Sequence, residues 1–193
     1  MSEQLKIVFL DIDGVLNHID HYMRDNYNEI LNWPFNQFCP DSIYLLNKIT
    51  DKTGAKIVVS SSWRQGKTVD ELKELFKEVK ITGEVIDKTC SMIGVKGYSI
   101  PRGCEIEHWL KAHKFQRINF SLEKQKEYAE KSEIFNYIIL DDDSDMLYNQ
   151  REHFIKTSRQ CGLSDSDVDT AINILSKPIW EVYYNNQTNQ AEI

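Results

Sequence analysis

Two aspartates, Asp11 and Asp13, follow directly on the apolar run Lys6-Ile7-Val8-Phe9-Leu10, with Gly14-Val15-Leu16 behind them. If the strand direction persists, side chains at i and i+2 share a face, so both carboxylates crowd the carboxyl end of the strand. Core packing has no use for two acids there. Chemistry has: one carboxylate can attack while the other shuttles a proton, and a divalent cation relieves their repulsion. Two more apolar runs end in polar clusters. Lys56-Ile57-Val58-Val59 leads into Ser60-Ser61-Ser62-Trp63-Arg64, and Asn136-Tyr137-Ile138-Ile139-Leu140 into Asp141-Asp142-Asp143-Ser144-Asp145.

The elements that must position these clusters alternate along the chain. Strands are expected over about 5–11, 56–59, 83–86, 136–140 and 153–157. Between them, apolar residues recur at helical spacing. Ile43, Leu45, Leu46 and Ile49 mark a helix with Asp41 as N-cap and Gly54 as its stop. Val69, Leu72, Leu75 and Phe76 mark a second over 68–79, and Ile106, Trp109 and Leu110 a third over 103–113. Ser164 or Asp165 caps a last helix through Leu175. Such alternation predicts an α/β fold, a Rossmann-like three-layer sandwich with a mainly parallel sheet and helices on both faces. Folds of this kind place ligands at the carboxyl ends of the strands, where three polar clusters here converge.

The chain of 193 residues, 41% hydrophobic, suits a single domain over 1–193. Residues 17–40 form an aromatic-rich flap, 114–135 a polar, helical excursion, and 184–193 a frayed tail. No run of about 18 apolar residues exists, so no membrane span is expected. Met1-Ser2-Glu3-Gln4 enters the first strand without a basic or signal-like segment. Cys39, Cys90, Cys104 and Cys161 are scattered and read as reduced thiols in a cytoplasmic protein. A formal charge of -7 argues against general binding of duplex nucleic acid, though not against a local pocket for one phosphate.

Taken in order, these residues resemble the haloacid dehalogenase-like (HAD) phosphohydrolase superfamily. Asp11-Ile12-Asp13-Gly14-Val15-Leu16 matches its first motif, Ser60 or a neighbour its second, and Asp141-Asp142 its fourth. Ser60-Ser61-Ser62-Trp63-Arg64, Arg102-Gly103 with Glu105-Ile106 and Trp109-Leu110, Leu140-Asp141-Asp142-Asp143 and Gly162-Leu163 are further similar to the small HAD domains associated with RNA-repair proteins.

The resemblance implies Asp11 as nucleophile, forming an aspartyl-phosphate, and Asp13 as the acid and base that serves the leaving oxygen and then water. An aspartate at that second position implies phosphatase rather than halide chemistry. It further implies Mg²⁺ held by Asp11, the backbone carbonyl of Asp13 and Asp141, with Asp142 in support. Asp145 is left between a supporting role and the N-cap of a following helix, and Asp143 faces solvent. For the phosphate, Ser60 is the first choice with Ser61 or Ser62 contributing, and Arg64, in a Ser-x-Arg like that of polynucleotide phosphatases, could grip it bidentately. The basic residue of the third motif is Arg102 or Lys96.

Neither 17–40 nor 86–102 is long enough for a large cap domain, and an uncapped cleft admits a bulky substrate such as a nucleic-acid end. The flap aromatics, among them Tyr22, Tyr27, Trp33, Phe35 and Phe38, could stack on bases or staple the flap to the core. His18 and His21 lack a third ligand for zinc. The expected substrate is a nucleotide or polynucleotide terminal phosphate. A small-metabolite or 5′-nucleotide phosphatase, and an idle HAD-fold module that binds metal or a partner, remain as alternatives.

Overall fold

A computed structural model describes residues 4–24, 37–92, 100–113, 127, 133–179 and 181. Five strands, β1 (Leu5–Leu10), β2 (Lys56–Val59), β3 (Val85–Lys88), β4 (Ile134–Asp141) and β5 (Phe154–Lys156), pair in the order β3-β2-β1-β4-β5. Every pairing is parallel. The helices are α1 (Ile19–Arg24), α2 (Pro40–Thr53), α3 (Val69–Glu78), α4 (Arg102–Ala112) and α5 (Asp165–Leu175). The expected α/β class, with its parallel sheet between helical layers, is the observed one.

Alternation along the strands builds two cores. Val8, Leu10, Ile57, Val59, Ile138 and Leu140 pack against α2, α3 and α5 through residues such as Leu46, Leu72, Phe76 and Val168. Ile7, Phe9, Val58, Tyr137 and Ile139 face the other way, onto Ile106, Trp109 and Leu110 of α4. The chain order of the strands reverses direction between β1 and β4, the crevice where doubly wound sheets bind ligands. The ladder runs one residue past the strands in step: Asp11 N–H donates to Leu140 O, Ser60 N–H to Leu10 O and Thr157 N–H to Asp141 O. Asp11, Ser60, Asp141 and Thr157 therefore stand side by side on the sheet's carboxyl edge.

Several boundaries differ from the sequence reading, each for a local reason. Asp41 lies in the first turn of α2 rather than capping it, because Cys39 is the N-cap and Pro40 opens the helix. Pro is preorganised for that place and has no N–H to leave orphaned. β3 lies two residues later than expected. A Cβ on Gly83 would meet Ile57 Cδ1 at 2.7 Å, so Gly83 is pressed against the core beside the strand. The strand goes on through Asp87 and Lys88, whose polarity hid it. The Asp87 carboxylate accepts from Trp109 Nε1 at 2.7 Å, and the Lys88 ammonium donates to Lys67 O. β4 begins at Ile134, so Ile134 and Phe135 belong to the sheet and not to the polar excursion. Of 114–133, only residues 127 and 133 are described, and the tail at 184–193 lies outside the described residues. Ser164 caps α5 through a capping box with Asp167.

Candidate active site

Asp11 is the first residue beyond β1 and continues the Ile7–Phe9 face, toward α4. Asp141, the last residue of β4, continues the Tyr137–Ile139 face in the same direction. Arg102, the first residue of α4, meets both: its Nη2 lies 3.9 Å from Asp11 Oδ1 and its Nε 3.9 Å from Asp141 Oδ2. Nη1 lies 3.8 Å from Glu105 Oε2. One half-buried guanidinium thus stands over two buried carboxylates at the topological switch of the sheet.

Asp145 fixes that guanidinium's helix. Pro101 offers α4 no side-chain cap. Instead Arg102 N–H donates to Asp145 Oδ2 at 2.7 Å and Gly103 N–H to Asp145 O at 3.3 Å. Gln150 Nε2 donates to Gly103 O at 2.8 Å. Asp145 therefore caps α4, not a helix following it in the chain, and ties the loop after β4 to the element that carries Arg102. Asp143 is exposed, and its N–H donates to Asp141 Oδ1 at 2.9 Å.

Asp11, Asp141 and Asp142 each offer a carboxylate oxygen, and these three oxygens lie within 4.8 Å of one another. Burial pushes Asp11 up to about 6, against the pull of Arg102 and a hydrogen bond from Ser61. Burial and then the neighbouring Asp11 push Asp141 up to about 7. Asp142 is raised too, chiefly by burial, with Arg159 opposing. Carboxylates left short of positive charge in this way are what an oxygen-binding cation relieves, so the donor set fits Mg²⁺. Gly14 makes room for the Asp142 carboxylate: its φ is +74°, and a Cβ there would fall on that side chain.

Asp13 is not one of these three carboxylates, though its charge still raises both Asp11 and Asp142. The extended backbone ends at Asp11, and the N–H groups of Val15, Leu16 and Asn17 all turn back onto Ile12 O at 2.9–3.2 Å. The i, i+2 alternation that would have put Asp11 and Asp13 on one face is therefore broken. Asp13 is exposed, and Trp63 Nε1 donates to its two oxygens at 3.1 and 3.0 Å. Asn17 Nδ2 adds a bond at 2.8 Å, while Asn17 Oδ1 accepts from Gly14 N–H at 3.0 Å. The ligand expected from Asp13 was its backbone carbonyl; its carboxylate is engaged elsewhere.

The serine cluster divides its labour. Ser61 is fully buried, its hydroxyl hydrogen-bonds Asp11, and its Oγ accepts from Trp63 N–H at 3.3 Å. The Ser60 hydroxyl is fully buried and finds no hydrogen-bond partner among the described residues. Arg64 departs from expectation. Its side chain is 3% exposed, and all its N–H-bearing atoms are used within the protein. Nε donates to Thr89 O at 3.0 Å, and Nη1 to Ser60 O at 2.8 Å and Ser61 O at 2.6 Å. Nη2 donates to Cys90 O at 3.0 Å and Glu105 Oε2 at 2.5 Å. A guanidinium with five donors so committed has none left for a phosphate, so Arg64 is a tie between β2, β3 and α4 instead.

Lys96 and the flap residues Tyr27, Trp33 and Phe35 lie outside the described residues. Phe38 is buried in the core and meets Trp63 edge-on at 5.3 Å, so this flap aromatic is a staple. Glu105, Trp63 and Asn17 are site residues that sequence reasoning did not assign. Glu105 had a signal, its i, i+3 spacing from Arg102 on one helix, and Trp63 stood in a segment that carries the resemblance; Asn17 had none.

The profile of the family described as the HAD domain in Swiss Army Knife RNA repair proteins matches residues 7–168. The chain belongs to that family, within the HAD-type phosphohydrolases. No curated protein and no solved structure matches it.

The raised carboxyls predict a stability profile. Asp11 and Asp141 have folded values near 6 and 7 against an ordinary 3.8. The folded state therefore holds their protons more tightly than the unfolded state does. Their contribution is fully present below about pH 4 and is lost as pH rises to about 7, by on the order of a few kcal/mol. Mg²⁺ should raise Tm more at pH 8 than at pH 5.5, because ions displace no protons at the higher pH. Equal stabilisation at both pH values, by thermal unfolding in chelator against Mg²⁺, would contradict the assignment.

Proposed function

We propose that the chain is a Mg²⁺-dependent phosphatase working through an aspartyl-phosphate on Asp11, with nucleotide or polynucleotide terminal phosphates as substrates. The observation that carries it is Asp11 at the switch point of the sheet, with Arg102 over it and Asp141 and Asp142 beside it. The Asp11 carboxylate attacks phosphorus in line. A bond forms from Asp11 Oδ to phosphorus as the bond to the leaving oxygen breaks, and Asp13 delivers a proton to that oxygen. Asp13 then takes a proton from water, which attacks the intermediate and frees phosphate and Asp11. Arg102 offsets the charge of nucleophile and phosphate, and Ser60 and Ser61 offer hydroxyls to the phosphoryl oxygens. Asp11, Asp141, Asp142 and the Asp13 carbonyl would hold Mg²⁺, which when bound would neutralise more of that charge. No helix among the described residues is long and apolar enough to cross a membrane, and the four cysteines are free. Free thiols are what a reducing compartment maintains, and the cytoplasm is the location proposed.

Phosphate release with and without Mg²⁺ tests the reading, on aryl phosphate, mononucleotides, sugar phosphates and oligonucleotides phosphorylated at either end. Preference for an oligonucleotide end supports it; preference for a small phosphate keeps the chemistry and discards the polynucleotide. No Mg²⁺-dependent release from any of them would favour the idle module.

Trp63 should matter through Asp13. Trp63→Phe keeps a ring beside Phe38 and deletes the indole N–H. Turnover of an alkyl phosphate, whose leaving oxygen needs a proton, is expected to fall about tenfold. Turnover of an aryl phosphate with an acidic leaving group should change little. Equal losses on both would show that Trp63 only supports the fold.

A further inference from the structure

The loops after β4 and β5 enclose an open pocket of about 390 Å³, lined by Asp142, Asp143, Lys156, Thr157, Ser158 and Arg159. None of the chemistry above uses its basic side. Asp142 belongs both to this pocket and to the carboxylate cluster, so the two spaces share a wall. Thr157 joins them from below, its hydroxyl donating to Gly14 O at 2.9 Å.

The loop carrying the cations is held at many points. Gly162 N–H returns to Ser158 O, Leu163 N–H bonds Val15 O, and Arg159 O and Gln160 O accept from the first turn of α1. Its charged side chains nevertheless reach solvent. Lys156 is exposed and donates to Ser144 Oγ at 2.6 Å. The Arg159 side chain is 81% exposed and faces Asp142 Oδ2 at 3.4 Å through Nε. Two cations and a serine hydroxyl on a fixed backbone face the carboxylates of Asp142 and Asp143, and once a cation at the Asp11 centre engages Asp142 this side is left able to take an anion. The volume lies at the lower end of ligand pockets, roughly 300–1,000 Å³, and exceeds the needs of one small ion.

We infer that Lys156, Ser158 and Arg159 form a subsite for a second phosphate, adjacent to the one presented to Asp11, such as the next linkage of a polynucleotide strand. The inference rests on reading the Asp11 centre as a phosphate site. It makes the pocket the feature that separates a strand end from a lone phosphate monoester. Arg159 would exchange its contact with Asp142 for the incoming anion when Asp142 is otherwise engaged.

Binding tests this without turnover. Dinucleotides with a terminal phosphate, joined either by the ordinary phosphodiester or by an uncharged methylphosphonate, are titrated into the Asp11→Asn chain with Mg²⁺. The charged linkage should bind five- to tenfold more tightly, and the slope of log affinity against log salt should be steeper by about 0.7 for each phosphate contact. In the Lys156→Ala/Arg159→Ala chain the preference should fall below about twofold. Equal binding of the two dinucleotides, or an undiminished preference in that variant, overturns the subsite. The salt slope is read on the chain that keeps Lys156 and Arg159, so it tests the subsite even where the double variant fails to fold. A nucleoside bisphosphate separates the sources: affinity well below that of the dinucleotide assigns a strand, and equal affinity a small bisphosphate. Phosphate release by the unmodified chain is scored separately. Linkage preference without release would leave the subsite standing and remove the proposed catalysis; release without preference would do the reverse.

Discussion

Asp11→Asn is expected to lower phosphate release by at least about 10⁴-fold while leaving the chain folded. The amide cannot attack phosphorus, and the next carboxylate along the chain, Asp13, is held in its place beside the leaving oxygen by Trp63 and Asn17. Without metal the variant should be the more stable protein. Asp11 sits in a site that pushes its carboxyl up to about 6, so its ionised form is a cost at neutral pH that a neutral amide of the same shape avoids. The gain is about 1 to 3 kcal/mol. Added Mg²⁺ should then stabilise the variant less than the parent, since one of three clustered oxygen donors has lost its charge. Full retention of activity would remove the aspartyl-phosphate mechanism. A variant less stable than its parent in chelator would contradict the physical account of the site.

How far the sequence led depended on whether a feature was local. Polar residues ending apolar runs marked the carboxyl ends of β1, β2 and β4, because both the strand and its termination are written in neighbouring residues. The parallel sheet followed from strand–helix alternation. Asp13 was misplaced relative to Asp11 since the extended backbone was assumed to continue, whereas a turn closing on Ile12 O intervenes. Gly14 hinted at that turn, but the hydrogen bonds of Asn17 that complete it carry no pattern. Asp145 could not be assigned because the helix it caps precedes it by more than 40 residues. β3 was displaced because an edge strand can carry Asp87 and Lys88 once each finds a partner elsewhere. Arg102 was within reach of sequence reasoning, opening a helix ahead of the fourth motif. Its position between Asp11, Asp141 and Glu105 was not.

Arg64 is where local resemblance and three-dimensional role part furthest, and it yields the largest expected change in stability. Its partners come from the end of β2, from Thr89 and Cys90 after β3, and from Glu105 in α4, none of which its neighbours in sequence reveal. Arg64→Ala would leave Glu105 buried with Arg102 as its remaining cation at 3.8 Å and would strip donors from four carbonyls. Removing one member of a buried pair costs about 3–5 kcal/mol. For a chain of this size that lowers Tm by roughly 6–20 °C. Arg64→Lys should recover little, since a single ammonium cannot serve acceptors spread around a planar fork. The carbonyls of Ser60 and Ser61 are among those acceptors, so the loop that presents Ser61 to Asp11 should loosen as well. Turnover at saturating substrate should then fall along with stability. A phosphate-gripping arginine would behave otherwise: thermal unfolding would be unchanged and KM would rise. Measuring Tm and KM on the same Arg64→Ala protein separates the two, and an unshifted Tm with a raised KM would return Arg64 to the phosphate.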